Sequence, residues 1–379
     1  MQKVKLNDIA EFIKTGKTPP TSQTQYFDGQ VNWYTPGDFN NGKKLNTSKR
    51  TLTQIALDDK KAITFPKDTL LITCIGDIGK IGITQEDCSS NQQITGIKPK
   101  ENTDVNYLYY WFIANKKVLE NTANSAVVPI LNNKTLQNID FKFPSLPTQQ
   151  KIAEILDTAD QFRQYNKQLI AKYDALTQSL FLEMFGDPVR NEKRWEKMEL
   201  KKMGKVITGS TPPSSKNNMF GGEIPFVTPG DLDKSAPYKR FVTEEGALNS
   251  RTVNKGALFV CCIGATIGKS GIARELSTFN QQINAVEWNS NISSQFGFNC
   301  FSFIKKELIE KAISTTLPIM KKSEFEKLKM ICPPLSLQTQ FAERVQMIET
   351  QKQQAQEALA KSEDLFQSLL QRAFKGELV

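Results

Sequence analysis

Hydrophobic positions in this chain follow two different periods. Short, nearly continuous apolar runs such as Thr69–Ile75 and Ala257–Ile263 are rich in β-branched residues and bounded by Gly and Pro, which predicts buried strands closed by tight turns. Tyr107 to Leu119 and Phe301 to Ile313 carry a helical pattern. A longer helix follows. From Pro147, a residue suited to a first helical turn, the chain runs to Phe185 without Gly or Pro. Ile152, Ile155, Ala159, Phe162, Asn166, Leu169, Tyr173, Leu176 and Leu180 alternate steps of three and four, the spacing of a coiled-coil seam. At 1.5 Å per residue the rod would be about 57 Å long. Phe341, Val345, Ile348, Lys352, Ala355, Leu359, Ser362, Phe366, Leu369 and Ala373 repeat the spacing, with a small and polar middle that seals poorly alone. The pattern predicts that the two helices pack on each other, antiparallel; the alternative is that each packs only on its own globular part. Asn166 is then a buried register-setting residue or a wet gap.

The chain repeats itself at roughly half its length. Thr15-Gly-Lys-Thr-Pro-Pro20 returns as Thr208-Gly-Ser-Thr-Pro-Pro213, and the Thr-Pro-Gly-Asp ending at Asp38 returns at Asp231. Cys74-Ile-Gly-Asp-Ile-Gly-Lys80 returns as Cys262-Ile-Gly-Ala-Thr-Ile-Gly-Lys269, and Asn91-Gln-Gln-Ile94 as Asn280-Gln-Gln-Ile283. Val128-Pro-Ile-Leu131 answers to Leu317-Pro-Ile-Met320, and Pro144-Ser-Leu-Pro-Thr-Gln149 to Pro333-Pro-Leu-Ser-Leu-Gln338. Each copy has a globular part followed by a long helix, which argues an α+β class with twisted mixed sheets. The divisions fall at 1–145 (globular), 146–186 (helix), 187–332 (globular) and 333–379 (helix). Gly186-Asp-Pro188 breaks the first helix, and the polar stretch to Trp195 reads as a linker.

Composition narrows the chemistry. The 379 residues include no histidine, which removes Ser-His-Asp and Cys-His catalysis, His–metal sites and His proton shuttles. The six cysteines contain no C-x-x-C pair, so neither a zinc ribbon nor a redox dithiol is indicated; free, mostly buried thiols in a reducing cytoplasm are the reading. The N-terminus does not read as a signal peptide, and no apolar stretch approaches a bilayer span. The net charge is +9. It divides as +4 over residues 1–145, −1 over 146–190, +7 over 191–332 and −1 over 333–379. The excess sits in the globular parts, as expected of two modules gripping a polyanion such as nucleic acid; a general solubility bias is the alternative.

Few motifs invite catalysis. The turns ending at Lys80 and Lys269 lack phosphate-loop spacing and read as glycine turns after a strand, whose lysine could still reach a phosphate. Asp38 and Asp231, after Pro-Gly, read as turn-stabilising carboxylates rather than catalytic ones. No amino-methyltransferase motif of the Asn-Pro-Pro-aromatic kind occurs. Thr18 to Asn46 and Thr211 to Arg240 are rich in the side chains that read base edges, with interleaved aromatics.

The doubled order of T-G-x-T-P-P, T-P-G-D, a glycine-lysine turn, P-x-L-x-x-Q and a long helix resembles the specificity (S) subunit of type I restriction-modification systems. Phe185-Gly-Asp-Pro188 to Trp195 is similar to that family's central junction, and Gln371-Arg-Ala-Phe-Lys-Gly-Glu-Leu378 to its C-terminus. The resemblance implies two target recognition domains in pseudo-twofold tandem, separated by two long helices packed as an antiparallel coiled coil. Each domain would read half of a bipartite, asymmetric site on double-stranded DNA. The helices would dock two methyltransferase subunits and, through them, the restriction subunits. No catalytic or metal-binding residue is expected, and S-adenosylmethionine, ATP and Mg would belong to the partners. A cytoplasmic, non-membrane protein follows. Phosphate-binding candidates are Lys17, Lys43, Lys44, Lys49, Arg50, Lys80, Lys216, Lys239, Arg240, Arg251 and Lys269. Base-reading candidates are Thr18, Ser22, Gln23, Gln25, Asn40, Asn41, Ser214, Ser215, Asn217 and Asn218. The competing readings are a stand-alone DNA-modifying or DNA-cleaving enzyme and a coiled-coil assembly protein with no DNA role.

Overall fold

The computed structural model describes residues 2–39, 42–123, 129–213, 216, 218–232, 237–312 and 318–379. They fall into two compact units, Met1–Asn166 with Glu357–Val379, and Lys167–Gln356. Each unit therefore takes one globular part, the start of one long helix and the end of the other.

In the first unit, the strands Ala10–Thr15, Ile94–Pro99, Leu70–Thr73, Ile81–Thr84 and Lys44–Leu45 form a five-stranded sheet in that order, antiparallel except for its last pair. Leu70–Thr73 and Ile81–Thr84 are buried at every position, so their sequences read as unbroken apolar runs rather than as an alternation. A smaller sheet pairs Phe27–Tyr34 with Arg50–Leu52 on one side and, in parallel, with Ser89–Ser90 on the other. In the second unit, Gly204–Thr208, Ile283–Trp288, Leu258–Cys261 and Ser270–Ile272 repeat the larger sheet without its fifth strand. Phe220–Val227, flanked by Phe241–Val242 and Ser277–Phe279, repeats the smaller one. The expected helices are Val105–Ala114 with Lys116–Thr122, and Ser294–Ala312.

The long helices span Leu146–Phe185 and Leu335–Lys375. Within each unit, a segment of one runs antiparallel to a segment of the other. In the first unit Arg163 lies 3.4 Å from Glu363, and Asn166 donates to Ser362 at 3.4 Å. In the second, Lys352 pairs with Asp174 at 2.6 Å, while Phe181 and Phe185 pack on Phe341. Both basic residues have the same surroundings. Arg163 also pairs with Asp160, and Lys352 with Glu349, each three residues before it. A cation held between an acid on its own helix and one on the opposite helix thus occurs in both units.

The seam of the second helix lies where its sequence puts it: Phe341, Val345, Ala355, Phe366 and Ala373 are buried, and Ile348, Lys352, Leu359, Ser362 and Leu369 half-buried. The first helix departs at alternate positions. Ile152 and Ala159 are buried, and Ile155, Asn166, Leu169, Tyr173 and Leu180 half-buried, but Phe162 is 59% and Leu176 49% exposed. Leu156 and Phe181, off the heptad seam, are fully buried instead, and Thr177 is buried too. Adjacent apolar pairs (Ile155-Leu156, Leu180-Phe181) offer two stripes one residue apart, and packing against the globular part selects the second. Arg163 fills the place next to Phe162, its guanidinium 4.3 Å from the Phe366 ring centroid.

Each long helix is pinned to its globular part by one glutamine. Gln149 is fully buried, donates to the carbonyls of Pro144 and Asn102, and accepts from the Asp104 amide. Gln338, equally buried, does the same with Pro333, Asn291 and Ser293. A buried amide side chain with all of these groups paired costs little and fixes the angle at which the helix leaves the domain. This is the physical content of the repeated P-x-L-x-x-Q. The junction after Phe185 is likewise a structured cap. Asp187 accepts from the amides of Val189 and Arg190, Lys193 donates to the carbonyls of Glu183 and Met184, and the Trp195 indole donates to that of Phe185.

Candidate nucleic-acid interface

The Thr-Gly-x-Thr-Pro-Pro segments are straps that cross the Asn-Gln-Gln turns. Gly16 and Lys17 donate their amides to the carbonyls of Ile94 and Ser90, and Gly209 and Ser210 to those of Ile283 and Phe279. Glycine is required by contact distance. A Cβ on Gly16 would lie 2.2 Å from the Ser90 hydroxyl oxygen, and one on Gly209 2.1 Å from the Asn280 carbonyl oxygen. Thr18 then donates to Gln92, and Thr211 to Gln281 at 2.8 Å. The turn is closed from within, since Asn91 and Asn280 bond Gln93 and Gln282 through both side chain and backbone. Thr18 is therefore an anchor of the strap, and Gln92 and Gln281, which sequence reasoning missed, are its sockets.

Beyond the strap the chain enters the smaller sheet. Ser22, Gln23 and Gln25 are exposed on the segment leading to Phe27, whose short 3-10 turn spans Thr24–Tyr26. The Thr53 hydroxyl donates to the Gln25 carbonyl, holding that segment against the next helix start. The second unit repeats the brace, with Thr243 donating to the carbonyl of exposed Asn218. Asn40, Asn41, Ser214, Ser215 and Asn217 lie outside the described residues.

The eleven basic candidates divide by what they already hold. Lys43 is turned inward and only 13% exposed; it pairs with Asp157 and lies over the rings of Tyr109 and Tyr110. Burial lowers its pKa, opposed by the Asp157 carboxylate, and Tyr110 donates to that same carboxylate at 2.6 Å. Lys43 is thus a packing cation: desolvation and a fixed counter-ion remove it from the phosphate candidates. Lys80 pairs with Asp77 at 2.8 Å inside its turn, and Lys269 donates to the carbonyls of Pro229 and Leu232. Arg251 braces the second strap, donating to the Thr208 carbonyl at 2.7 Å. Lys17 bonds the Lys60 carbonyl yet stays exposed, as do Lys44, Lys49, Lys216 and Lys239. Arg50 and Arg240 are exposed and lie over aromatic rings, Phe27 and Trp33 for one, Phe220 and Phe226 for the other.

The remaining chemistry is structural. Asp38 accepts from the amide and hydroxyl of Thr35 at 2.7 Å and from the Lys49 amide; Asp231 accepts from the amide and hydroxyl of Thr228. These are the turn carboxylates expected. The glycine turns adopt positive φ at Gly76 and Gly79 and at Gly264 and Gly268, and each is bridged by the Pro-Ile segment repeated later in its copy. The six cysteines are free, and burial pushes Cys74 up to about 11 and Cys262 up to about 12, away from a reactive thiolate. Among the described residues no cluster of His, Cys, Asp or Glu could hold a metal ion.

Comparison with known proteins gives these repeats a context. A family model described as the type I restriction modification DNA specificity domain matches residues 1–173 and again 192–360. The specificity subunit of the type I restriction enzyme MjaIX of Methanocaldococcus jannaschii is 27% identical over 92% of this chain and 88% of its own length. The solved S subunit of a type I restriction-modification system from M. genitalium superposes with a TM-score of 0.63 at 14% identity, covering 98% of this chain and 96% of that one. A chain from a structural description of complex assembly and conformational transition of the type I R-M system gives 0.59 at 16% identity, covering 100% and 98%.

Proposed function

The chain belongs to the type I restriction modification DNA specificity family, and from that premise we propose that its two globular parts each read one half of a bipartite, asymmetric DNA site. As a member it is a DNA-recognition subunit of a restriction-modification system and is not itself an enzyme. The long helices set the spacing between half-sites and dock two methyltransferase subunits, which modify adenine; restriction subunits join through them. S-adenosylmethionine, ATP and Mg act on those partners. No helix among the described residues is long and apolar enough to cross a membrane. The proposed site of action, with the DNA it reads, is the cytoplasm.

The observation that carries this reading is a shared frame around unlike loops. Strap, Asn-Gln-Gln socket, threonine brace and glutamine pin recur bond for bond in both units. The segments they hold differ: Gln23-Thr-Gln-Tyr26 stands where the second copy has Lys216-Asn-Asn-Met219. Base-edge recognition depends on such side chains and phosphate contact does not, so unlike loops imply unlike half-sites. Methylome sequencing of cells expressing the chain with its methyltransferase partner tests this. One asymmetric bipartite motif is expected, and a palindrome would sink the reading. Inserting four residues beside Asn166 should lengthen the spacer and leave both half-sites unchanged.

A further inference from the structure

We propose that Phe27 and Trp33 in the first unit, and Phe220 and Phe226 in the second, are positioning residues for DNA binding: without touching the duplex they hold Arg50 and Arg240 as preset phosphate contacts. The inference rests on the DNA-reading function above and deepens it.

The geometry is the same in both copies. The Arg50 guanidinium carbon lies 5.0 Å from the centroids of both Phe27 and Trp33. That of Arg240 lies 5.1 Å from both Phe220 and Phe226. The aromatic pairs meet edge to face, with centroids 6.2 and 5.8 Å apart. An exposed arginine otherwise samples many rotamers, and that freedom is lost on meeting a phosphate. The rings engage the cation through its charge and accept no conventional hydrogen bond from it, so N–H donors remain for a phosphate oxygen. Part of the ordering is therefore complete before DNA arrives.

A backbone device brings the two rings to the cation. Trp33 stands directly across from Arg50, but Phe27 is six residues earlier on the same strand. A bulge brings it back, since Leu52 pairs with both Phe27 and Val31. The second unit has the same irregularity, with Val242 pairing with both Phe220 and Ile224. The residue after each phenylalanine takes positive φ, 60° at Asp28 and 92° at Gly221. Positive φ is unfavourable for an aspartate, yet the bulge occurs in both copies with different residues. Neither guanidinium has a carboxylate partner among the described residues, whereas Lys43, Lys80 and Lys269 are engaged internally. Phe27 lies two residues beyond the exposed Ser22–Gln25 segment, and Phe220 two beyond Asn218, so the anchor sits beside the loop proposed to read bases.

The test is a double-mutant cycle on the full chain assembled with its methyltransferase subunits. Binding to a pool of random-sequence duplexes is measured across a salt series, with thermal unfolding of every variant alongside. Arg240→Ala should weaken binding about tenfold and reduce the salt slope by about one. Phe220→Leu should weaken it about threefold, and add nothing when placed on Arg240→Ala. Phe220→Tyr should restore binding, because a ring is what the guanidinium needs. Phe27→Leu with Arg50→Ala repeats the cycle in the other unit if Phe220→Leu unfolds. The proposal is overturned if Phe220→Leu leaves affinity unchanged, or weakens the Arg240→Ala protein by the same factor as the wild type. An assembled wild type with no salt-sensitive duplex binding would overturn the DNA-reading function itself, a separate outcome.

Discussion

The two units spend their side chains differently at the seat where a globular part meets the long helices. In the first, Lys43 is pressed between Tyr109, Tyr110 and Asp157. In the second, Phe298, Asn299 and Ser302 stand at the positions of Tyr109, Tyr110 and Ile113, and they line an open cleft of about 780 Å³ with Tyr238, Val345 and Lys352. In the frame around the loops the copies agree to the level of individual hydrogen bonds, as at Gln149 and Gln338 or Thr18 and Thr211. What is repeated closes backbone groups and sets angles; what diverges fills volume or faces solvent. A buried unpaired amide or carbonyl has a fixed cost wherever it occurs, whereas a space can be packed in many ways or left wet.

That division can be broken by mutation. The largest effect should come from the pins. Gln149→Ala and Gln338→Ala each strand buried backbone groups and should each destabilise by about 3 kcal/mol in urea unfolding, to a similar extent in the two units. A marked inequality would show that the frame is not shared energetically. Next, Gly16→Ala and Gly209→Ala force a Cβ into backbone and hydroxyl contacts and should each cost about 2 kcal/mol. Lys43→Ala probes the divergent seat. It should lower stability by about 1 kcal/mol while leaving the salt slope of DNA binding unchanged, the opposite of Arg50→Ala. A reduced slope would return Lys43 to the DNA surface. Smallest of all, Phe162→Ser should change stability by no more than about 0.5 kcal/mol, because the ring is exposed in spite of its heptad position.

The duplication, the α+β class and both long helices were legible because each is a matter of order or period. The seam of the second helix was legible for the same reason, with one slip: of the adjacent pair Leu369-Leu370 the heptad names the half-buried residue, and Leu370 is the buried one. On the first helix Ile155-Leu156 and Leu180-Phe181 present two stripes, and heptad spacing cannot choose between neighbours. The site was harder to read. Asn91-Gln-Gln and Asn280-Gln-Gln look like solvent loops until the strap is seen to lie on them. The arginine–ring contacts join a cation to rings between 14 and 23 residues away in sequence, with a bulge bringing in the more distant ring of each pair. Repetition was the available signal: Phe27, Trp33 and Arg50 recur in order as Phe220, Phe226 and Arg240. Lys43 was misread because a lysine in a polar stretch carries no mark of the carboxylate it will meet at Asp157.

The way the helices are shared between the units has a consequence for how the chain is made. The second unit is one continuous stretch, Lys167–Gln356, while the first needs Glu357–Val379 to complete it. Phe366, Leu370 and Ala373 belong to the first unit's core beside Leu156, Tyr107 and Tyr110. During synthesis from the N-terminus, the globular part that emerges first is completed only by Glu357–Val379, translated after the whole of the second unit, and the later one can close before it. The order of completion is the reverse of the order of appearance, and the first unit's exposed seam is the part of the nascent chain most in need of protection.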